Sequence, residues 1–135
     1  MAVTTTVRWI TDRHFVGIDS SNHSVVLSGQ AAKIGVSPSE MLLVALASCS
    51  SVDVVEILGK KRLKLTRLEV TTTGEGDPEP PWPYRRIHLK NRLGGEGLTP
   101  KAVEQAITLS QEKYCSVAAT VRGVAQITTE YEIVP

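Results

Sequence analysis

Apolar and polar positions recur with different rhythms along this chain, and each rhythm predicts its own kind of element. From Met41 to Ala47 every residue is apolar, and the pattern continues through Val52, Val54, Val55, Ile57 and Leu58 with Asp53 and Glu56 as interruptions. A helix with no polar side over two turns has to be covered all round. Its start is marked by Ser37, Pro38, Ser39 and Glu40, which fit N-cap to N3 of a capping box, with proline where a missing N–H costs nothing. Gly59 is suited to follow the last turn, and Lys60, Lys61 and Arg62 complement the negative end of the helix dipole. The spacing therefore predicts a core helix of about twenty residues, roughly 30 Å long.

Elsewhere the period is two. Residues 4–10, 15–19 and 23–27 are rich in β-branched residues and are separated by polar turns, which predicts an antiparallel meander. Residues 29–36 show no period and read as a connection. After the helix, residues 65–73 set Leu65, Arg67 and Glu69 against Leu68, Val70 and Thr72, and residues 85–93 set Ile87, Leu89 and Asn91 against His88, Lys90 and Arg92. These predict an antiparallel pair with one wet face. Between them, residues 74–83 hold four prolines and two glycines, which argue against regular structure and predict an extended, polyproline-like loop, either a functional loop or a hairpin connection pinned by Trp82. Thr99 and Pro100 then open a second helix, with Val103, Ala106, Ile107 and Ser110 inward and Lys101, Glu104, Gln105, Gln111 and Glu112 outward. Residues 118–121 suggest a further helical turn broken at Gly123, and residues 124–134 read as a last strand with Ile127, Thr129, Tyr131 and Ile133 on one face.

At 135 residues the chain fits a single domain spanning 1–135. A net charge of +1 gives no general attraction to nucleic acid or to an anionic membrane, and the run Lys60, Lys61, Arg62, Lys64 and Arg67 reads as a solvated helix end. The first residues lack the basic and apolar regions of a secretory signal, and no uninterrupted apolar run reaches membrane-spanning length. The expected location is the cytoplasm. His14, His23 and His88 fall singly without metal-ligand spacing, so no metal is expected.

The candidate chemistry lies in the two cysteines, Cys49 and Cys115. Free cysteine packs as a small hydrophobe, so two inert buried thiols satisfy the composition as well as a reactive pair does. Their settings favour chemistry: each lies on or just after a proline-capped helix among small residues, where backbones approach closely. A nucleophilic Cys49 needs its thiolate, which burial and Asp53, one turn away, would disfavour. A cation is therefore expected nearby, with Arg8, Arg13 and Arg122 as candidates. Glu40 reads as a capping carboxylate.

The run SPSEMLLVALASC, the later EKYCSV, their separation and the opening strands with FVGIDSSNH together resemble the OsmC/Ohr superfamily over essentially the whole chain, and most nearly its OsmC-like branch with the YhfA-type proteins. The resemblance implies an α+β fold with antiparallel sheets packed on a long central helix, and an obligate, intertwined homodimer. It also implies thiol peroxidase chemistry on organic hydroperoxides. Cys49 would be oxidised to a sulfenic acid, Cys115 would resolve it to a Cys49–Cys115 disulfide, and a dithiol such as a dihydrolipoyl group would reduce that bond, with no bound cofactor required. In the hydroperoxide reductases a glutamate after the helix-opening proline anchors a catalytic arginine. Here that position is Ser39, and Glu40 points about 100° away around the helix. Arg13 is the nearest match to the arginine, and Asp53 is the carboxylate that would stand in as its anchor. The other reading is an OsmC-like protein without peroxidase activity, binding small hydrophobic or thiol-reactive molecules in the groove near Cys49.

Overall fold

Three short strands, β1 (Thr6–Thr11), β2 (His14–Ile18) and β3 (Ser24–Ser28), pair antiparallel in the order β1-β2-β3, as the first three β-branched runs predict. The chain reverses through Asp12 and Asn22, both in the left-handed region with φ of 48° and 70°. Aspartate and asparagine tolerate that conformation better than most residues. In the computed structural model, which describes residues 1–135, this meander and its continuation to Leu42 form one compact unit, and residues 43–135 form a second.

Helix α1 (Pro38–Lys60) passes from one unit into the other. The Ser37 hydroxyl donates to the Glu40 carboxylate at 2.9 Å, and the Met41 N–H bonds the Ser37 carbonyl at 2.9 Å, so the start of the helix lies where the capping residues place it. Its end corrects the expectation for Gly59, which stays helical. Arg62 takes the left-handed position with φ of 60°, its N–H reaching the Gly59 carbonyl at 2.9 Å while the Leu63 N–H reaches that of Leu58 at 3.1 Å. That is a Schellman cap, with Leu58 and Leu63 in the same apolar cluster to close it. By length and composition alone α1 could cross a membrane, with a mean hydropathy of 2.0. Serines break its apolar runs but lower its hydropathy little, and core helices of globular proteins share this property.

The second unit is built on a sheet ordered β4-β5-β6, from β4 (Lys64–Gly76), β5 (Tyr84–Glu96) and β6 (Gln126–Val134). Strands β4 and β5 are antiparallel, but β6 runs parallel to β5, which corrects the expectation of purely antiparallel sheets. The reason is the connection: α2 (Pro100–Leu109), a π turn (Ser110–Tyr114) and α3 (Ser116–Val121) carry the chain back to the end where β5 began. A bulge between Leu65 and Arg67 moves Leu65 onto the same face as Leu68, undoing the strict alternation read there. Opposite Leu65 stands Gly95, at φ of +158°, where a Cβ would lie 2.1 Å from the Lys64 carbonyl oxygen.

Strand β4 also continues to Gly76, into the region expected to be irregular. Residues 77–83 are a turn and not an extended polyproline segment: the Trp82 N–H bonds the Glu79 carbonyl at 2.9 Å, and Asp77 pairs with Arg85 at 3.1 Å. Trp82 is exposed, and its backbone bond and the ion pair close the hairpin.

Along α1 the residues Leu46, Ser50, Val54 and Leu58, four apart, form its buried stripe. Two apolar clusters follow that stripe. Leu46 packs with Ile87, Leu89, Cys115, Ala118 and Ala125, whereas Val54 and Leu58 pack with Leu93, Val103, Ala106 and Ile107. All four residues expected inward on α2 and its continuation are buried. On β6, Thr129 is exposed, while Ile127, Tyr131 and Ile133 face inward as expected. The other side of α1 is uncovered in the single chain: Leu42, Val44, Val52 and Val55 are 41%, 50%, 56% and 49% exposed.

Candidate active site

Both cysteines are free thiols and belong to one apolar cluster, Cys115 as a buried member and Cys49 half-buried and packed against it. Helix α1 fixes Cys49 beside Ala47. Cys115 is placed by two features that the sequence did not announce. Before it, α2 widens into the π turn, and the Cys115 N–H closes that turn on the Ser110 carbonyl at 2.8 Å. After it, α3 begins with Cys115 as its N-cap: the Cys115 Sγ accepts the Ala118 N–H at 3.3 Å.

The two sulfurs differ in their proton affinity. For Cys49 the largest single influence is burial, which raises the pKa, but it is outweighed by the Val117 N–H, the Cys115 thiol, and the hydroxyl and N–H of Ser116. Together these hold the pKa below the ordinary thiol value. Cys115 is pushed up to about 11, first by burial and then by the Cys49 sulfur and the Asp53 charge, against an opposing pull from the Ala118 N–H. One thiol is thus primed to lose its proton and the other to keep it.

The groups that stabilise the Cys49 thiolate within this chain are amides, a hydroxyl and a thiol from residues 115–117, and the Asp53 charge acts on Cys115. The signal in the sequence was a small-residue helix start directly after a cysteine, Cys115-Ser116-Val117-Ala118.

The partner that the structure gives the Asp53 carboxylate is the Ser110 hydroxyl, which donates to its Oδ2 at 2.8 Å. Arg122 is exposed, and its guanidinium donates to the Gln111 carbonyl. In the first unit Arg8 lies on β1, and Arg13 stands in the β1–β2 turn with its side chain against Gly29. Both are exposed. Glu40 has the capping role read from the sequence. A groove of about 500 Å³ lies along the second half of α1, lined by Asp53, Ile57, Lys60, Lys61, Gln105 and Tyr114 among others, and neither sulfur lines it.

Residues 29–130 match the family model described as OsmC-like protein. Protein YhfA of Escherichia coli strain K12 is 38% identical over 128 residues, which cover 95% of this chain and 96% of that protein. The chain belongs to the OsmC-like family. A hypothetical protein from Aquifex aeolicus VF5 has a similar structure, with a TM-score of 0.84 at 30% identity, covering 100% of this chain and 99% of that one. The organic hydroperoxide resistance protein OhrB of Bacillus subtilis has the same fold, with a TM-score of 0.64 at 13% identity and 98% of each chain covered. Within this OsmC-like chain, the carboxylate whose charge acts on Cys115 is Asp53.

Proposed function

We propose that this chain is a cysteine-based thiol peroxidase acting on organic hydroperoxides, with Cys49 as nucleophile and Cys115 as resolving thiol. The observation that carries the reading is the asymmetric pair: two free thiols in one apolar cluster, the more exposed one lowered in pKa and the buried one raised to about 11. In the first step the Cys49 thiolate attacks the distal peroxide oxygen. The O–O bond breaks, an alkoxide leaves and takes a proton, and Cys49 becomes a sulfenic acid. In the second step Cys115 gives up its proton and attacks the Cys49 sulfur; an S–S bond forms, the S–O bond breaks and water leaves. A dithiol, possessing both reducing equivalents, then returns the pair to thiols by exchange. OhrB, whose fold this chain shares, is named as an organic hydroperoxide resistance protein, and the apolar cluster in which Cys49 packs, with Leu46, Ala47 and Val117, suits an organic peroxide better than a hydrated one.

Two further assignments complete the reading. Arg13 is assigned the guanidinium role that the family resemblance implies, a role that suits arginine because its five fixed donors fit a developing oxyanion. The working unit is a homodimer, supported by the exposed Leu42, Val44, Val52 and Val55 of α1, an apolar face that a second copy would cover. Sedimentation at micromolar concentration should accordingly give the mass of two chains.

The function is tested by adding cumene hydroperoxide to the reduced protein and counting thiols. Both should be lost with one equivalent of peroxide. Cys49→Ser should abolish peroxide consumption, and Cys115→Ser should leave a sulfenate that a 1,3-dione traps. Peroxide persisting while both thiols stay reduced would end this reading.

A further inference from the structure

Ser110 touches the supports of both cysteines. Its carbonyl holds the Cys115 N–H, closing the π turn at 2.8 Å. Its hydroxyl, fully buried, reaches α1, where it donates to Asp53 Oδ2 at 2.8 Å and lies 3.2 Å from Ser50 Oγ. Gln111 Nε2 donates to the same Ser50 Oγ at 3.2 Å. A hydroxyl has one proton to give, and the carboxylate is the stronger acceptor, so the chain of donors runs from Gln111 through Ser50 and Ser110 to Asp53. Ser50 directly follows Cys49, and Asp53 stands one helical turn beyond it. A buried polar network is expensive unless every member is satisfied, and here each hydroxyl has partners while the charge lies at the accepting end.

We propose that this Ser50–Asp53–Ser110–Gln111 network is a positioning device for the resolving step, clamping the π turn onto the Cys49 helix and thereby holding Cys115 within bonding reach of Cys49. The inference rests on the peroxidase reading for its place in the cycle, where the Cys115 thiol, HS–, condenses with the Cys49 sulfenic acid, –SOH, to give the disulfide and water. Its physical content is independent of peroxide: it is the closeness of the two thiols. Ser110 and Asp53 act through the backbone that carries the cysteines, and so are positioning residues.

The test is the effective concentration of the two thiols, measured by equilibrating the full-length protein with reduced and oxidised glutathione. In that exchange the protein dithiol and one glutathione disulfide give the protein disulfide and two glutathione thiols. Ser110→Ala and Asp53→Ala should each lower the effective concentration about tenfold or more, since each removes a buried hydrogen bond to a charged group. Asp53→Asn, which keeps an oxygen able to accept from Ser110 but loses the charge, should fall less than Asp53→Ala does. Val103→Ala, a core change in the other apolar cluster, should lower stability yet also leave the effective concentration within about twofold. Equal values for the parent, Ser110→Ala and Asp53→Ala would overturn the proposal, as would an equal fall in Val103→Ala. A protein that closes its disulfide in this way but ignores cumene hydroperoxide would sink the peroxidase reading and leave the clamp standing.

Discussion

The two halves of the core in the second unit share a helix and a strand but do different work. Around Leu46, Ile87 and Leu89 the third partner is α3 with its N-cap Cys115, which presents Ala118 flanked by Val117 and Val121. Around Val54, Leu58 and Leu93 it is α2, which presents Val103, Ala106 and Ile107. Small residues let the backbone of α3 come close enough for its first amides to act on Cys49, which a layer of leucines would prevent. Branched aliphatics fill the other half and bury more apolar surface per residue. The comparison teaches that reactivity and stability have been placed at different points along one helix, with the polar seam of Ser50, Asp53 and Ser110 where the two halves adjoin.

The largest expected effect lies in the aliphatic half. Leu58→Ala should cost about 2–5 kcal/mol in denaturant unfolding, because the side chain is fully buried and its site is closed around it. The Cys49 thiolate midpoint, followed by absorbance near 240 nm, should not move. If it does, the two halves are not separable. The converse change is Ala118→Val in the sulfur half, where overpacking at a fully buried position should cost about 1–3 kcal/mol. Here the Cys49 midpoint should rise, since Val117 and Ser116 supply its stabilising N–H groups and lie directly before residue 118.

A smaller effect concerns pH and separates the two sulfurs. Cys115 keeps its proton in the folded state up to about 11, above the ordinary thiol value, so the unfolded chain is the first to lose that proton as pH rises. The Cys115 contribution to stability should therefore be intact below about 9 and decline as pH rises toward 11. Cys49 has the opposite sign: its lowered pKa adds stability above the ordinary thiol value and loses it as pH falls through the folded value. Unfolding midpoints of Cys49→Ser and Cys115→Ser proteins across alkaline pH should show these opposing slopes. The smallest effect is a gain. Gly59→Ala, in the last turns of α1 with open space around a Cβ, should stabilise by up to about 1 kcal/mol and leave thiol reactivity untouched.

Much of this architecture was legible in the residues. Ser37, Pro38 and Glu40 located the start of α1, Val103, Ala106, Ile107 and Ser110 were correctly read as one buried face, and β5 alternated as written. These are local signals, and a period of two or of 3.6 needs no knowledge of what lies opposite. The misreadings came where a distant element decides. Leu65 changed face because β5 accommodates a bulge at Gly95, and the helix passed through Gly59 because Leu63 could pack back on Leu58. The 77–83 turn was misjudged because proline content says where regular structure stops but not how the chain then bends.

The chain alone therefore determined which segments are helices and strands, which faces are apolar, and that Cys49 and Cys115 are the residues to examine. Only the folded structure decided that β6 runs parallel to β5, that Asp53 serves Ser110 and Cys115, and that amides from the start of α3 stabilise a thiolate at Cys49. The physical reason is range. Side-chain periodicity is set within a few residues, whereas the charge state of a sulfur depends on donors and carboxylates brought to it from other elements by the packing of the whole unit.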